Sequence, residues 1–333
     1  MKKIPYGKQY IDSSDIKSVI KSMKQDLITT GKSVQIFEKK ISNLLKCKHV
    51  SSCSSGTAAI HLALLAIDIE KNDVVIMPAI NFIAAYSMCT YMGARIYLAD
   101  VDSVSGQMTQ KTLMECIRKN NLKKIKVVIT MYMGGYPKNV IEFFKIKKKY
   151  KFFLIEDACH AFGSKYKYKN KLVHIGSCKH SDISTFSLHP VKTFTTGEGG
   201  LVTTNSKLFN NRIKLLRSHG IQRDKKLHWK YDIRQLGFNY RLSDINCALG
   251  ISQLKKINTF IKDRKNIYKI YKKEFEKYSE VVKVVNFNKL QSPSYHLMIV
   301  SIDFKNTQST KDGLLKFLKK KKISAQYHYI PIF

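Results

Sequence analysis

No two of the seven cysteines in this chain form a C-x-x-C pair. They stand at positions 47, 53, 89, 116, 159, 178 and 247, odd in number and widely scattered. That spacing excludes a disulfide framework and a structural zinc site, and it predicts reduced thiols, as in a cytoplasm. Long apolar runs are missing too, with none near the ~18 residues that span a bilayer. The opening "MKKIPYGKQYIDSSDI" carries two lysines but no apolar core of a signal peptide. A soluble, cytoplasmic chain with no membrane partner is the expectation.

Acidic residues are scarce. The 333 residues hold 24 Asp and Glu against 59 Lys and Arg, a formal charge of +35. Such a field attracts polyanions, whether nucleic acid, an anionic membrane or a phosphorylated small molecule. Aromatics are not interleaved with the lysines as a base-stacking platform requires. Helix-turn-helix, RNA-recognition and zinc-finger signatures are absent as well. Most basic stretches, such as "KIKKKYK" and "LKKKKIS", flank amphipathic elements, so the charge reads as lysine-rich surface. No specific nucleic-acid partner is expected, and a non-catalytic basic nucleic-acid binder stands as the alternative reading.

What the chain does have is an α/β alternation. Hydrophobic residues make up 44% and charged residues 25%, an ordinary globular balance. An N-capped helix at "DSSDIKSVIKSM" and an amphipathic one in "TTGKSVQIFEKKISNLL" come first. Then "HVSSC", "DVVIMP", "ARIYLAD", "KKIKVVITMY" and "KFFLIED" read as short strands between helices, including one from Thr57 through Ile67. Short Val/Ile-rich strands separated by helices predict a largely parallel sheet covered on both faces. A helical region is expected from Leu242 to about Tyr278. In the tail, "SYHLMIVSID" and "ISAQYHYI" are expected as strands, with "KDGLLKFLKKK" as a helix. The division expected is a large domain over residues 1–250 and a small α+β domain over 251–333.

One motif is rejected at once. "TTGKS" at Thr29 to Ser33 resembles the end of a P-loop, but the first glycine would have to stand where Asp26 stands, and no strand precedes it. Three other segments lie where α/β sheets place ligands, just past strand ends. Gly56 and Thr57 in "SSGTAAIHLALLAI" open a helix whose N-terminus suits a phosphate. "FFLIEDACHAFG" ends a strand in Glu156 and Asp157, with His160 three residues beyond Asp157. Asp157 reads either as a helix cap or as a partner for a protonated ring nitrogen. Lys192 follows 35 residues after Asp157 in "FSLHPVKTFTTGEGG". It sits between an apolar run and a glycine turn, a setting that fixes and partly desolvates an amine that forms Schiff bases. Ser187 adds a hydroxyl. Phosphate cradle, ring-nitrogen acid and amine in this order make a pyridoxal 5′-phosphate site.

These residues sit in a wider pattern. The segments "ITTGKSVQIFEKK", "SSGTAAIHLAL", "MPAINFIAA", "IEDACHAFGS", "FSLHPVKTFTTGEGG", "LRSHG" and "LGFNYRLSDINCALGISQLKK" together resemble the DegT/DnrJ/EryC1/StrS sugar-nucleotide aminotransferases. The resemblance runs from about Tyr6 to Pro331. It implies the fold-type I aminotransferase architecture, with a large mostly parallel-sheet domain and a smaller α+β C-terminal domain. It also implies that Lys192 is the Schiff-base lysine and that Asp157 partners the pyridine nitrogen. Phe82 would stack on the ring, His160 would lie near it, and Gly56, Thr57 and Ser187 would hold the phosphate. Asn239 would reach the phosphate of a neighbouring subunit's cofactor, which implies a homodimer with shared active sites. Tyr6, Ile28, Thr29, Gln326, His328 and Tyr329 match positions that touch a sugar nucleotide. "YGKQYIDSSDI", "RSHGI" and "QYHYIPI" look most like the branch that aminates a UDP-linked 4-keto sugar on the way to pseudaminic acid, with L-glutamate as donor. Acceptors linked to dTDP or GDP would use the same cofactor residues. The sequence stops at "YHYIPIF", whereas relatives usually continue, so the small domain is expected to be incomplete.

Overall fold

The computed structural model describes residues 3–224, 226–227 and 229–332. Its centre is a seven-stranded sheet. The strands are β1 (His49–Cys53), β2 (Val74–Pro78), β3 (Arg95–Ala99), β4 (Val127–Met131), β5 (Phe153–Asp157), β6 (Ile183–Ser187) and β7 (Gly200–Thr204). Across the sheet the order is β1-β7-β6-β5-β4-β2-β3. All neighbours are parallel except those of β7, which is antiparallel to both β6 and β1. β4 reads Val-Val-Ile-Thr-Met and β7 Gly-Leu-Val-Thr-Thr, each buried at every position. A strand covered on both faces has no reason to alternate polar and apolar residues.

Helices supply that cover. They are α1 (Ser13–Met23), α2 (Lys32–Leu45), α3 (Gly56–Ala66), α4 (Ile83–Tyr91), α5 (Gln110–Lys119), α6 (Val140–Tyr150), α7 (Lys207–Leu216), α8 (Asp244–Leu254), α9 (Ile257–Glu276) and α10 (Lys311–Lys320). α3 reads GTAAIHLALLA and is apolar nearly all round, because it lies between the sheet and α4 and α7. α2 buries Val34, Phe37, Ile41 and Leu45 along one stripe and packs on α8. Their contact is close because Gly250 lacks a side chain: a Cβ there would come within 2.7 Å of the Phe37 ring. That approach brings Asp244, at the start of α8, against the start of α2.

The C-terminal region differs from the sequence expectation in three places. The helical stretch after Leu242 is two helices, α8 and α9, parted at Lys255 and Lys256. "SYHLMIVSID" forms a strand only at Val300–Ile302, paired with Val282–Val284. "ISAQYHYI" forms no strand. Ile323 makes a single bridge with Ile4, and the chain then runs without a ladder partner across the mouth of the sheet. There its groups bond to side chains instead, Tyr329 to His160 and His328 to Tyr6. Features with no counterpart in the sequence reading include α5, α7, β7 and the hairpin of Lys165–Tyr168 with Lys171–His174. Among the described residues no helix is long and apolar enough to cross a membrane, and no cluster is suited to a metal. All seven cysteines are free.

Candidate functional site

Four parallel strands deliver one cavity. The turn after β1 brings Ser55, Gly56 and Thr57, the turn after β2 brings Phe82, and the ends of β5 and β6 bring Asp157, His160, Ser187 and Lys192. All border a space of about 320 Å³ at the carboxyl edge of the sheet, the place where this architecture binds ligands. Tyr6, Gln326, His328 and Tyr329 close it from the chain termini. A wider cleft of about 580 Å³ lies on the other side of Lys192, bordered by Tyr10 and Arg264. It lacks both Asp157 and the start of α3, so the smaller cavity is the candidate site.

The start of α3 is built for an anion. Ser55 caps it, its Oγ accepting the Ala58 amide at 3.0 Å, and the Gly56 and Thr57 amides ahead of Ala58 precede the helical ladder. The helix dipole adds partial positive charge at that point. Gly56 is held to glycine by space: a Cβ would meet Ser187 Cβ at 2.9 Å and Cys159 Sγ at 3.3 Å. Ser187 therefore lies directly against the helix start.

Alternation along β5 separates its two terminal acids. Glu156 turns to the face away from the cavity, where Tyr132 Oη donates to it at 2.9 Å and Ser184 Oγ at 2.5 Å. It is a buried structural acid. Asp157 turns into the cavity, where its Oδ1 accepts the Cys159 amide at 3.1 Å. No ion pair among the described residues engages it. Burial pushes its carboxyl up, while Cys159 and the charge of Lys192 act in the opposite sense. Lys192 mirrors it. Burial lowers its amine below the usual lysine range, and Cys159 and Asp157 oppose that shift. Its Nζ makes no hydrogen bond or ion pair among the described residues, so the amine is free to react.

Histidines line the remaining wall. His160 accepts the Gly134 amide at Nδ1, 3.3 Å away, which leaves its Nε2 to donate to Tyr329 Oη at 3.0 Å. Burial, with the charge of Lys192 next, holds it well below its ordinary pKa. His328 Nε2 and Tyr6 Oη are 2.8 Å apart, and burial pushes the Tyr6 hydroxyl up to about 12. The Phe82 ring is 51% exposed and leans on Tyr329, centroids 5.7 Å apart.

Three expected positions lie elsewhere. The Ile28 carbonyl accepts the Asp244 amide, and Thr29 bridges Ser243; both dock the start of α2 and do not border the cavity. Asn239 is exposed and bridges Ser218, outside the cavity of its own chain. Conversely, His296, from the C-terminal region, borders the cavity. Sequence reading gave no sign of it, because a histidine inside "SYHLM" carries no local signature.

The model of the DegT/DnrJ/EryC1/StrS aminotransferase family matches residues 9–333. The chain belongs to that family. It is 38% identical over 332 residues to the UDP-4-amino-4,6-dideoxy-N-acetyl-beta-L-altrosamine transaminase of Campylobacter jejuni serotype O:23/36, covering 99% of this chain and 84% of that one. Its fold matches Helicobacter pylori PseC, an aminotransferase involved in the biosynthesis of pseudoaminic acid, with a TM-score of 0.88 and 29% identity over 99% of this chain and 86% of that one. It also matches the PLP-form of a sugar aminotransferase, Spr1654 from Streptococcus pneumoniae, with a TM-score of 0.88 and 25% identity over the same shares. The chain is thus an aminotransferase of fold-type I, and its cofactor is pyridoxal 5′-phosphate. The cavity fits that group on its own evidence. An amide-lined helix start cleared by Gly56 suits the phosphate, a buried Asp157 without an ion pair suits a protonated ring nitrogen, and a free Lys192 amine suits the aldehyde carbon.

Proposed function

We propose that this aminotransferase replaces the keto oxygen of a nucleotide-linked 4-keto-6-deoxy sugar by an amino group, with L-glutamate as donor. The favoured product is UDP-4-amino-4,6-dideoxy-N-acetyl-β-L-altrosamine, made for a surface glycan. The observation that carries the reading is the Lys192 amine, unbonded and depressed by burial, in one cavity with Asp157 and the open start of α3. Similarity to the altrosamine transaminase and to PseC supports the choice of sugar.

Each group then has a task. The cofactor, when bound, supplies an electrophilic carbon and an electron-accepting ring. Gly56, Thr57 and Ser187 would hold its phosphate, Asp157 would keep the ring-nitrogen proton in place, and Phe82 would pack against the ring. Lys192 would take a proton from the donor's α-carbon and deliver it from the same amine to the cofactor's reactive carbon, and an amine below its ordinary pKa is suited to both tasks. His160, a neutral donor through Nε2, steadies Tyr329 at the mouth. Tyr6, Gln326, His328 and Tyr329 contact the sugar nucleotide. Asn239, exposed and outside its own cavity, serves the phosphate site of a second copy, so the working unit is a homodimer in the cytoplasm. The positive surface gathers a dianionic diphosphate.

Incubation with pyridoxal phosphate, L-glutamate and a UDP-linked 4-keto-6-deoxy-N-acetylhexosamine tests this. The expected result is an amino sugar by mass spectrometry with matching release of 2-oxoglutarate. Amination of only the GDP- or dTDP-linked ketone would move the reading to those acceptors.

A further inference from the structure

One wall of the cavity comes from the C-terminal region rather than from the sheet, and His296 stands on it. The ring is 5% exposed and packs on His160, centroids 4.4 Å apart. Neither ring nitrogen meets a hydrogen-bond partner among the described residues, and Nδ1 is closed off from solvent. Buried polar groups left unpaired are few in folded proteins, and each calls for a reason. Looseness is not the reason here. Arg264 Nη1 donates to the His296 carbonyl at 2.9 Å, and Nη2 of the same guanidinium reaches the Lys192 carbonyl at 3.4 Å. The backbone at His296 is therefore tied to that of the reactive lysine, and packing on His160 holds the ring.

Its surroundings choose the ligand. With nothing to accept a hydrogen at the sealed Nδ1, the neutral ring carries its hydrogen on Nε2 and offers a donor. Burial and the nearby charges of Lys192, Arg264 and His328 keep it neutral. Asp157, the carboxylate of the cavity, acts on Lys192 and Cys159 instead. A fixed donor in a cationic field suits an anion close to the reacting amine. Every amino-acid donor brings a carboxylate on the reacting carbon, whereas a sugar nucleotide carries its charge on a diphosphate remote from the ketone.

We infer that His296 recognises a carboxylate of the amino-acid donor through a hydrogen bond from its imidazole. The inference rests on the aminotransfer reading above. Glutarate, a dicarboxylate with no amine to transfer, tests it by calorimetric titration of the cofactor-loaded protein. Wild type binds glutarate; His296→Phe, which keeps the ring volume, weakens it by about tenfold or more, as expected for a lost hydrogen bond to a charged group. His296→Gln, which keeps a donor near the same place, stays within about threefold of wild type. The L-glutamate concentration for half-saturation of cofactor conversion rises in parallel in His296→Phe, with a smaller change in the saturating rate. Equal glutarate affinity in wild type and His296→Phe overturns the inference, as does a His296→Gln variant that loses as much as His296→Phe. A wild type that converts no amino acid at all strikes the aminotransferase reading instead.

Discussion

Two helices of this chain start beside a glycine that follows Ser or Thr, and they end up with opposite uses. At the start of α2 the chain supplies its own anion. The buried Asp244 carboxylate takes the Gly31 amide at 2.7 Å, the Ser33 amide at 2.8 Å and the Val34 amide at 3.4 Å. At the start of α3 Ser55 takes one amide, and the rest of the helix end opens on the cavity. Both ends offer the same partial charge and the same free N–H groups. The difference lies in whether another part of the fold has already filled them. "TTGKS", the more motif-like string, is a joint between α2 and α8. "SSGT", the plainer one, is left open to the cavity.

That contrast can be tested from its strongest consequence down. The largest effect is expected beside the open end: Lys192→Ala lowers conversion of bound cofactor by L-glutamate by roughly 10³-fold or more, read by stopped-flow absorbance, with little change in melting temperature. At the filled end the effect is on stability. Asp244→Ala strands three amides in a buried joint and costs about 3 kcal/mol, read by denaturant unfolding, while activity per folded molecule survives. If Asp244→Ala unfolds no more easily than wild type, the joint is not what holds α2. Next, Gly56→Val crowds Ser187 at the open end and weakens cofactor affinity about tenfold or more, measured by titration of the apoprotein with pyridoxal phosphate. The smallest effect is Ser55→Ala, the loss of one cap, worth about 1 kcal/mol of stability. A Ser55→Ala cost equal to that of Asp244→Ala would erase the distinction between the two ends.

The same contrast marks what the sequence could disclose. Strands such as Val127–Met131 were legible because a strand buried on both faces is a continuous apolar run. Asp157 and Lys192 were legible because each follows such a run. β7 was hidden among its parallel neighbours, since Gly-Leu-Val-Thr-Thr reads alike in either direction. α5 buries only Leu113, Cys116 and Ile117, too thin a stripe to stand out in a lysine-rich surface. The Asp244 joint spans more than 200 residues of chain, and His296 reaches the cavity only through the way the C-terminal region folds back. Neither leaves a local trace. The run from Gln326 to Tyr329 borders the cavity, but as a strand it was misread: the side chains of Tyr329 and His328 bond to His160 and Tyr6, and no ladder forms.

The most direct test of the account is the absorbance spectrum of the protein with pyridoxal phosphate, before and after L-glutamate, beside Lys192→Ala. The account expects a visible band of cofactor bound at Lys192 in wild type, lost on addition of glutamate as the amine form appears. In Lys192→Ala that conversion should be absent. A wild type without the band, or a Lys192→Ala variant that converts as fast as wild type, would contradict the assignment of the site.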